Sequence, residues 1–241
     1  EIIERSVDGF GQRFSIKGLA GEYRDLFLPI LGDHQVENVA VAIAAVESFL
    51  GGGKQRIMDD VLRVAIADAS SPGRLQVLSR TPLTVLDAAH NPHGALVLAG
   101  ALQTAFGANR FVGVIGILAD KDASGMLRAL EPVLEEVVIT KSSSDRALPV
   151  SDLEDLAIEI FGEHRVRTAN AVSAALQDAR EMVGEGIGDA IVIAGSISLV
   201  GDVLKVQQLD DDYGLEDSDE DDDWTGSDQV DSSDMDYEDG E

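Results

Sequence analysis

Three polar residues, Asp87, His90 and Asn91, lie in the segment 87–92 that directly follows the strand-like run Thr84-Val85-Leu86. In an open α/β sheet, ligands collect at the carboxyl ends of the strands, where a carboxylate such as Asp87 can accept hydrogen bonds from ribose hydroxyls. His90 and Asn91 stand at the start of the next predicted helix, whose free N–H groups and dipole attract anions. The same residue types are also typical of a turn that caps a helix, so both interpretations stay open.

Two other residues have side chains suited to a nucleotide. Arg74, in the run Pro72-Gly73-Arg74, has a planar guanidinium that can bind a phosphate through two N–H groups, whereas an exposed arginine in a turn is the simpler alternative. Asn38, near the start of a predicted helix, has a donor and an acceptor for an adenine edge, and its alternative is a polar first turn. The run 51–54 is not a phosphate loop, because Gln55 stands where Ser or Thr would hold magnesium.

Two further strand ends carry polar residues. Lys121 and Asp122 follow the apolar run 111–117, and they either line a cleft or form a helix cap with a solvated face. Ser196 follows the last apolar run, beside Gly195, and it either lies near a ligand or acts as an N-cap. The four histidines lack the i, i+4 spacing of a zinc-binding helix, so the sequence predicts no metal site in this chain.

Hydrophobic periodicity predicts the elements that must position these residues. From residue 74 onward, strand-like runs alternate with helical patterns, and several of the runs are almost entirely apolar, as strands covered on both faces must be. The strands are predicted at 75–79, 84–87, 111–117, 136–140, 165–168 and 190–194, and the helices at 93–106, 122–134, 151–161, 170–183 and 198–205. This alternation predicts an α/β fold with a doubly wound, mostly parallel sheet.

The remaining segments differ in character. Residues 3–30 mix short strand-like runs with glycine turns, and helices are predicted at 36–50 and 57–68. Because the chain begins without Met and inside a strand-like pattern, we expect it to be a piece of a longer protein. Residues 207–241 are predicted to be disordered, since they have too few apolar side chains to offset the entropy of ordering. The alternative is a polyanion that docks on a basic partner or on a nucleotide cleft.

Composition excludes several classes of function. The chain has 241 residues with 45 acidic and 18 basic side chains, which gives a net charge of −27, and 17 of the acidic residues lie in 210–241. A surface for nucleic acid or anionic membrane needs clustered Lys and Arg, which are absent. The chain has no cysteine and no apolar run long enough to span a bilayer. We therefore expect a cytoplasmic protein without nucleic-acid or membrane partners.

Six motifs, taken in order, resemble those of the folylpolyglutamate synthase and dihydrofolate synthase family of the Mur ligase superfamily. The motifs are Gly32-Asp33-His34-Gln35-Val36-Glu37-Asn38, Pro72-Gly73-Arg74, Asp87-Ala88-Ala89-His90-Asn91-Pro92, Leu118-Ala119-Asp120-Lys121-Asp122, Arg146-Ala147-Leu148-Pro149 and Gly195-Ser196. The resemblance covers only the C-terminal half of the family. It implies the end of a central ATPase domain at 1–56, a linker helix and turn at 57–72 and a C-terminal α/β domain at 73–206. The acidic tail at 207–241 lies outside the family's pattern.

The resemblance also implies a reaction, in which ATP phosphorylates a dihydropteroate or tetrahydrofolate carboxylate and the amine of L-glutamate attacks the acyl phosphate. Asn38 would contact adenine, Asp87 the ribose, and Arg74 the phosphates. His90 and Ser196 would lie near the incoming glutamate, and Lys121 and Asp122 would lie in the cleft that faces the central domain. The resemblance further implies a monomer that acts on these small molecules.

The family's phosphate loop, magnesium ligands and pterin-binding loop all belong to a region upstream of Glu1. We therefore expect ATP and Mg²⁺ as cofactors of the whole enzyme, and no turnover by this chain alone. Two alternatives stay open: a Mur ligase that adds an amino acid to a peptidoglycan precursor, and a non-catalytic module that binds nucleotides or partners.

Overall fold

The N-terminal part of the chain forms a small antiparallel sheet with two helices. A computed structural model describes residues 1–9, 11–108, 110–184 and 188–213. The strands, in the order β1-β2-β3, and the helices are β1 (Ile2–Asp8), β2 (Gly11–Lys17), β3 (Glu22–Leu28), α1 (Asp33–Gly51) and α2 (Asp59–Ala67). Helix α1 ends at Gly52, whose left-handed conformation suits glycine.

One buried cluster holds this part together. Phe14 and Ile16 lie two residues apart on β2 and therefore face the same side of the sheet, where they pack with Val36 of α1 and Leu62 of α2. The opposite side of α1 is apolar as well, and the Phe49 side chain on that side is 90% exposed. The α1 helix thus has an apolar face that no described residue covers.

From residue 76 onward the chain forms a six-stranded sheet with helices on both faces. The strand order is β4-β5-β9-β6-β7-β8, and all neighbours are parallel except β4 and β5. The elements are β4 (Gln76–Arg80), β5 (Leu83–Leu86), α3 (Pro92–Ala105), β6 (Arg110–Ile115), α4 (Ala123–Leu130), β7 (Glu136–Ile139), α5 (Val150–Phe161), a 3-10 turn (Glu163–Arg165), β8 (Val166–Thr168), α6 (Val172–Val183), β9 (Asp189–Ala194) and α7 (Ile197–Tyr213). The predicted α/β fold with a doubly wound, mostly parallel sheet is confirmed.

Alternation along the central strands explains why they are almost wholly apolar. On β9, Val192 packs into the cluster with helices α3, α4 and α5, whereas Ile191 and Ile193 pack into the cluster with α6 and α7. Both faces of each central strand are buried, so every position favours an apolar side chain. Tight packing also selects small residues, since a Cβ added at Gly113 of β6 would lie 2.6 Å from the Leu134 side chain.

The topology brings the ends of four parallel strands to one edge. Strand β9 lies between β5 and β6, while α3 crosses from β5 to β6 on one face and α7 leaves β9 on the other. Such a switch point opens a crevice at the carboxyl edge of a sheet. The residues that follow β5, β9, β6 and β7 therefore meet at this edge.

The predicted boundaries differ from the structure mainly at α7. The helix continues to Tyr213 instead of ending at residue 205, so residues 207–213 are helical and the predicted disorder is wrong for them. Extending an existing helix costs little because each added residue gains a hydrogen bond, even where the local sequence is polar. Residues 214–241 of the predicted tail lie outside the described residues. No helix of the described part is long and apolar enough to cross a membrane.

Candidate functional site

Asp87 lies at the carboxyl end of β5 and is 7% exposed. Its Oδ2 accepts a hydrogen bond from the Leu75 N–H at 2.9 Å, and its Oδ1 accepts one from the Ala89 N–H at 2.8 Å. Burial raises the pKa of the Asp87 carboxyl, while these two hydrogen bonds and the nearby Arg74 and His34 side chains oppose that rise. The Asp87 carboxylate is therefore shielded from solvent, and a backbone N–H holds each of its two oxygens.

Arg74 lies in the turn that leads into β4. The turn is tied to the Asp87 segment, because the Ala88 N–H donates to the Gly73 carbonyl at 2.6 Å. Arg74 is exposed and makes no hydrogen bond or ion pair from its guanidinium to any residue of the described part. It borders a cleft of about 430 Å³, whose other lining residues are Pro29, Ile30, Ala69, Ser70, Ser71, Pro72, Leu75, Gln76 and Val77. An unpaired guanidinium on an open cleft is available to an anion.

His90 and Asn91 open helix α3. Asn91 is its N-cap, since the Asn91 side chain accepts a hydrogen bond from the Gly94 N–H at 2.8 Å and Pro92 occupies the first turn. The capping interpretation of Asn91 is thereby confirmed. His90 is half-buried, and its Nδ1 lies 3.0 Å from the Ala88 carbonyl oxygen. If Nδ1 carries the proton, that contact leaves Nε2 as an acceptor for a second group.

Ser196 follows β9 and caps α7. Its Oγ accepts a hydrogen bond from the Leu199 N–H at 3.1 Å, and the residue is 1% exposed. Beside it, the Gly195 N–H donates to the Ala89 carbonyl at 3.1 Å. Gly195 has φ +126°, and a Cβ there would lie 2.6 Å from the Gly116 carbonyl oxygen, so no larger residue fits. Backbone hydrogen bonds thus join the segments that carry Arg74, Asp87, His90 and Ser196.

Lys121 and Asp122 lie in the loop between β6 and α4, and both side chains are engaged. The Asp122 carboxylate accepts a hydrogen bond from the Gly125 N–H at 2.8 Å and caps α4. Lys121 Nζ lies 3.3 Å from Asp120, which also accepts a hydrogen bond from Arg146 at 2.6 Å. The bond from Arg146, assisted by Lys121, holds the pKa of Asp120 below its usual value. The predicted cap is confirmed, and Lys121 is paired with a neighbour.

The loop 117–121 is also fixed through its backbone. The Ala119 N–H donates to the Arg146 carbonyl at 2.8 Å, and the Leu148 N–H donates to the Ile117 carbonyl at 2.9 Å. The α4 N-terminus lies beside the start of α3, because a Cβ added at Gly125 would lie 2.8 Å from the Pro92 ring. The loop that carries Lys121 and Asp122 therefore borders the same edge as His90.

Asn38 stands further from this cluster along helix α1. Its side chain is exposed and donates to Gln35 at 3.3 Å. The start of α1 lies against the Arg74 turn, since a Cβ added at Gly32 would lie 3.2 Å from the Leu75 side chain. The first turn of α1 is therefore placed beside the cluster, and Asn38 extends along the helix away from that point.

Sequence reasoning missed several residues at this edge. Leu75 has a left-handed backbone with φ 45°, which its sequence context does not reveal. Thr140 and Ser142 follow β7 and have buried hydroxyls with no hydrogen-bond partner among the described residues. Thr140 and Ser142 could have been selected from the sequence, because they follow an apolar strand-like run as Asp87 does.

The described residues do not fit a magnesium site of their own. No group of three or more His, Asp or Glu side chains in the described ranges converges closely enough to hold a metal ion. They do fit a nucleotide, because an exposed guanidinium, a buried carboxylate and helix N-termini meet at the carboxyl edge of the sheet.

Comparison with known proteins gives a consistent result. Residues 73–197 match the family described as Mur ligase, glutamate ligase domain. Dihydrofolate synthase/folylpolyglutamate synthase of Mycobacterium tuberculosis is 42% identical over 204 residues, which are 84% of this chain and 42% of that protein. Folylpolyglutamate synthase of Lacticaseibacillus casei is 33% identical over 205 residues, which are 84% of this chain and 45% of that protein.

A solved structure shares both fold and sequence with the chain. The crystal structure of Mycobacterium tuberculosis folylpolyglutamate synthase complexed with ADP and AMPPCP superposes with a TM-score of 0.81 at 39% identity. The match covers 86% of this chain and 47% of that one. The chain thus spans less than half the length of the relatives that it matches.

Proposed function

Because the chain belongs to the Mur ligase family, in which it matches the glutamate ligase domain, we propose that the whole protein is an ATP-dependent ligase that adds L-glutamate to dihydropteroate or tetrahydrofolate. The observation that carries this proposal is the cluster at the carboxyl edge of the sheet, where backbone hydrogen bonds join the segments of Arg74, Asp87 and Ser196. Relatives named for this activity share 42% and 33% of their residues with the chain over the matched region.

The nucleotide roles follow from the chemistry of each side chain. Arg74 has no ion pair in the described part, so its guanidinium can bind phosphate without first breaking another contact. Each Asp87 oxygen accepts one backbone N–H and retains a lone pair, which suits a ribose hydroxyl. Asn38, exposed on α1, is assigned to the adenine edge. ATP supplies the phosphoryl group that activates the carboxylate.

The residues assigned to the glutamate side are His90 and Ser196. The imidazole is oriented by its contact with the Ala88 carbonyl, which leaves the second ring nitrogen for a ligand. Ser196 acts by holding the first turn of α7, since its hydroxyl is already bonded to the Leu199 N–H. Lys121 and Asp122 keep their assignment to the cleft, with Lys121 supplying positive charge and Asp122 fixing the start of α4.

We further propose the domain division 1–56, 57–72 and 73–206, followed by the acidic segment 207–241, whose first residues continue α7 to Tyr213. The buried cluster of β1–β3 with α1 also includes Leu62 and Ile66 of α2, so it supports a division between α2 and the α/β domain, and the boundary at 56/57 stays a proposal. The exposed apolar face of α1 suits a surface that packs against more of an ATPase domain. The chain alone lacks a phosphate loop and a magnesium site in its described part, so it is assigned no turnover of its own.

The proposal is tested by glutamate incorporation in the whole protein. Labelled L-glutamate and Mg-ATP are supplied with dihydropteroate, tetrahydrofolate or a muramyl nucleotide as acceptor. Labelled product from a pteroate or folate, formed with release of ADP, is the expected result, and Arg74→Ala should abolish most of it. Incorporation only into the muramyl acceptor would replace this function with a peptidoglycan ligase, and no incorporation would leave a non-catalytic module. ADP release by the 241-residue chain alone would contradict its predicted inactivity.

A further inference from the structure

The turn at 73–76 is held in an unusual conformation. Leu75 has φ 45°, a left-handed backbone conformation that leucine rarely adopts. Its side chain is 4% exposed and packs in the buried cluster that includes helices α3, α4 and α5. Gly73 has φ 71° in the same turn. Residues in such conformations persist only when surrounding contacts determine them. The contacts that hold this turn therefore decide where Arg74 points.

The Asp87 carboxylate supplies the central contact. Its Oδ2 accepts the Leu75 N–H at 2.9 Å, and the adjacent Ala88 N–H donates to the Gly73 carbonyl at 2.6 Å. Arg74 lies between these two anchored residues. Its guanidinium makes no hydrogen bond or ion pair with the described residues, so the backbone on either side is what positions it. Gln76 adds a weaker clamp by accepting the Gly73 N–H at 3.0 Å.

We propose that Asp87 is a positioning residue for Arg74: by accepting the Leu75 N–H, its carboxylate fixes the turn that presents the guanidinium to the phosphates of a bound nucleotide. The inference rests on the proposed nucleotide site and adds that ribose and phosphate recognition are coupled through one carboxylate. An aspartate that contacted only a ribose would need no bond to the Arg74 turn. An aspartate that stabilised the turn without directing Arg74 would have no specific effect on phosphate binding.

The first test needs no nucleotide. In the 241-residue chain, residue-resolved amide hydrogen exchange by NMR should show a slow Leu75 amide, and Asp87→Asn should speed its exchange at least tenfold. Asp202→Asn is the matched control and should leave Leu75 exchange unchanged, because Asp202 on α7 accepts the N–H of Ser143, a loop residue without a proposed nucleotide contact, at 2.6 Å. Unchanged Leu75 exchange in Asp87→Asn would overturn the proposal.

The second test separates ribose from phosphate by comparing ADP with adenosine. Dissociation constants from NMR titration should show that Asp87→Asn weakens ADP at least tenfold more than it weakens adenosine. In a double-mutant cycle, Arg74→Ala should then cost less ADP affinity in the Asp87→Asn background than in the wild type. Equal losses for ADP and adenosine, with an unchanged effect of Arg74→Ala, would overturn the inference.

A milder variant keeps the test decisive if Asp87→Asn does not fold. Gln76→Ala removes the second clamp on the same turn and leaves Asp87 in place, so it should weaken ADP two- to fivefold and leave adenosine unchanged. No loss of ADP affinity in this variant would count against the positioning role. If the whole wild-type protein binds no ADP, the proposed nucleotide site itself fails. If ADP binds normally but the cycle shows no coupling, only the positioning role of Asp87 fails.

Discussion

The carboxylate of Glu47 is fully buried on helix α1 and ties that helix to the small sheet. Its Oε2 accepts the Leu19 N–H at 2.6 Å, while its Oε1 accepts the Ala20 N–H at 3.1 Å and the Tyr23 hydroxyl at 2.7 Å. Burial and then the hydrogen bond to Glu47 raise the pKa of Tyr23. Because α1 also carries Asn38, this contact anchors the helix that is assigned to the adenine.

Glu47→Gln tests how much this anchor contributes. A glutamine that keeps its oxygen at the Oε1 position still accepts from Ala20 and Tyr23, but its amide then faces the Leu19 N–H, and two donors oppose each other. One hydrogen bond to a charged group is lost, which is worth ~1.5–3 kcal/mol, and the other two become weaker neutral bonds. We expect the free energy of unfolding to fall by about 3 kcal/mol.

Urea denaturation followed by circular dichroism measures the change. At a slope of about 2 kcal/mol/M, a loss of about 3 kcal/mol moves the midpoint down by roughly 1.5 M without changing the slope. Glu37→Gln is the matched control, since Glu37 is exposed on the same helix and its replacement should stay within about 0.5 kcal/mol. A Glu47→Gln midpoint indistinguishable from the Glu37→Gln midpoint would refute the proposed network.

Three further predictions concern the α/β part. Gly195→Ala should lower the free energy of unfolding by at least about 2 kcal/mol, because Gly195 has φ +126° and the added Cβ would meet the Gly116 backbone. Gly201→Ala, in an open position on α7, should instead raise it by about 0.5–1 kcal/mol, and equal urea midpoints for the two variants would contradict this. Arg110→Met should cost about 2 kcal/mol and weaken the salt dependence of the midpoint, since the guanidinium joins two partly buried carboxylates at 3.0 Å. Burial raises the pKa of Asp87 above its ordinary 3.8, so the folded protein retains this proton longer than the unfolded chain does. The stability that comes from the raised pKa of Asp87 is therefore complete below pH 3.8 and is lost as the pH rises through the folded pKa. Urea midpoints measured across this pH range should depend less on pH in Asp87→Asn, and an unchanged pH dependence would count against the raised pKa.

Much of the fold could be predicted because the physical cause is local. Strands buried on both faces must be apolar throughout, so the run predicted at 111–117 corresponds to β6 (Arg110–Ile115). Helix α3 was predicted at 93–106 and spans Pro92–Ala105, since its cap and first-turn proline are visible in the sequence. The extension of α7 to Tyr213 could not be predicted, because its last turns continue a helix whose stability comes from residues nearer its start.

The candidate site was predictable only at the level of strand ends. The rule that ligands meet at the carboxyl edge selected Asp87 and Ser196 from their position after apolar runs. It gave no sign that Asp87 would bond to Leu75, because that contact joins segments twelve positions apart through a strained turn. It also could not show that Lys121 would pair with its neighbour, since side-chain direction depends on the packed loop.

The most direct test of the account is an NMR titration of the 241-residue chain with ADP, which detects binding even at millimolar affinity. We predict that backbone amide signals shift at 74–76, 87–91 and 195–197, and that Arg74→Ala weakens binding at least tenfold. Arg128→Ala, which removes an exposed arginine on α4, should bind as the wild type does. Absent shifts at these three segments, or wild-type affinity in Arg74→Ala, would contradict a nucleotide site at the carboxyl edge of the sheet.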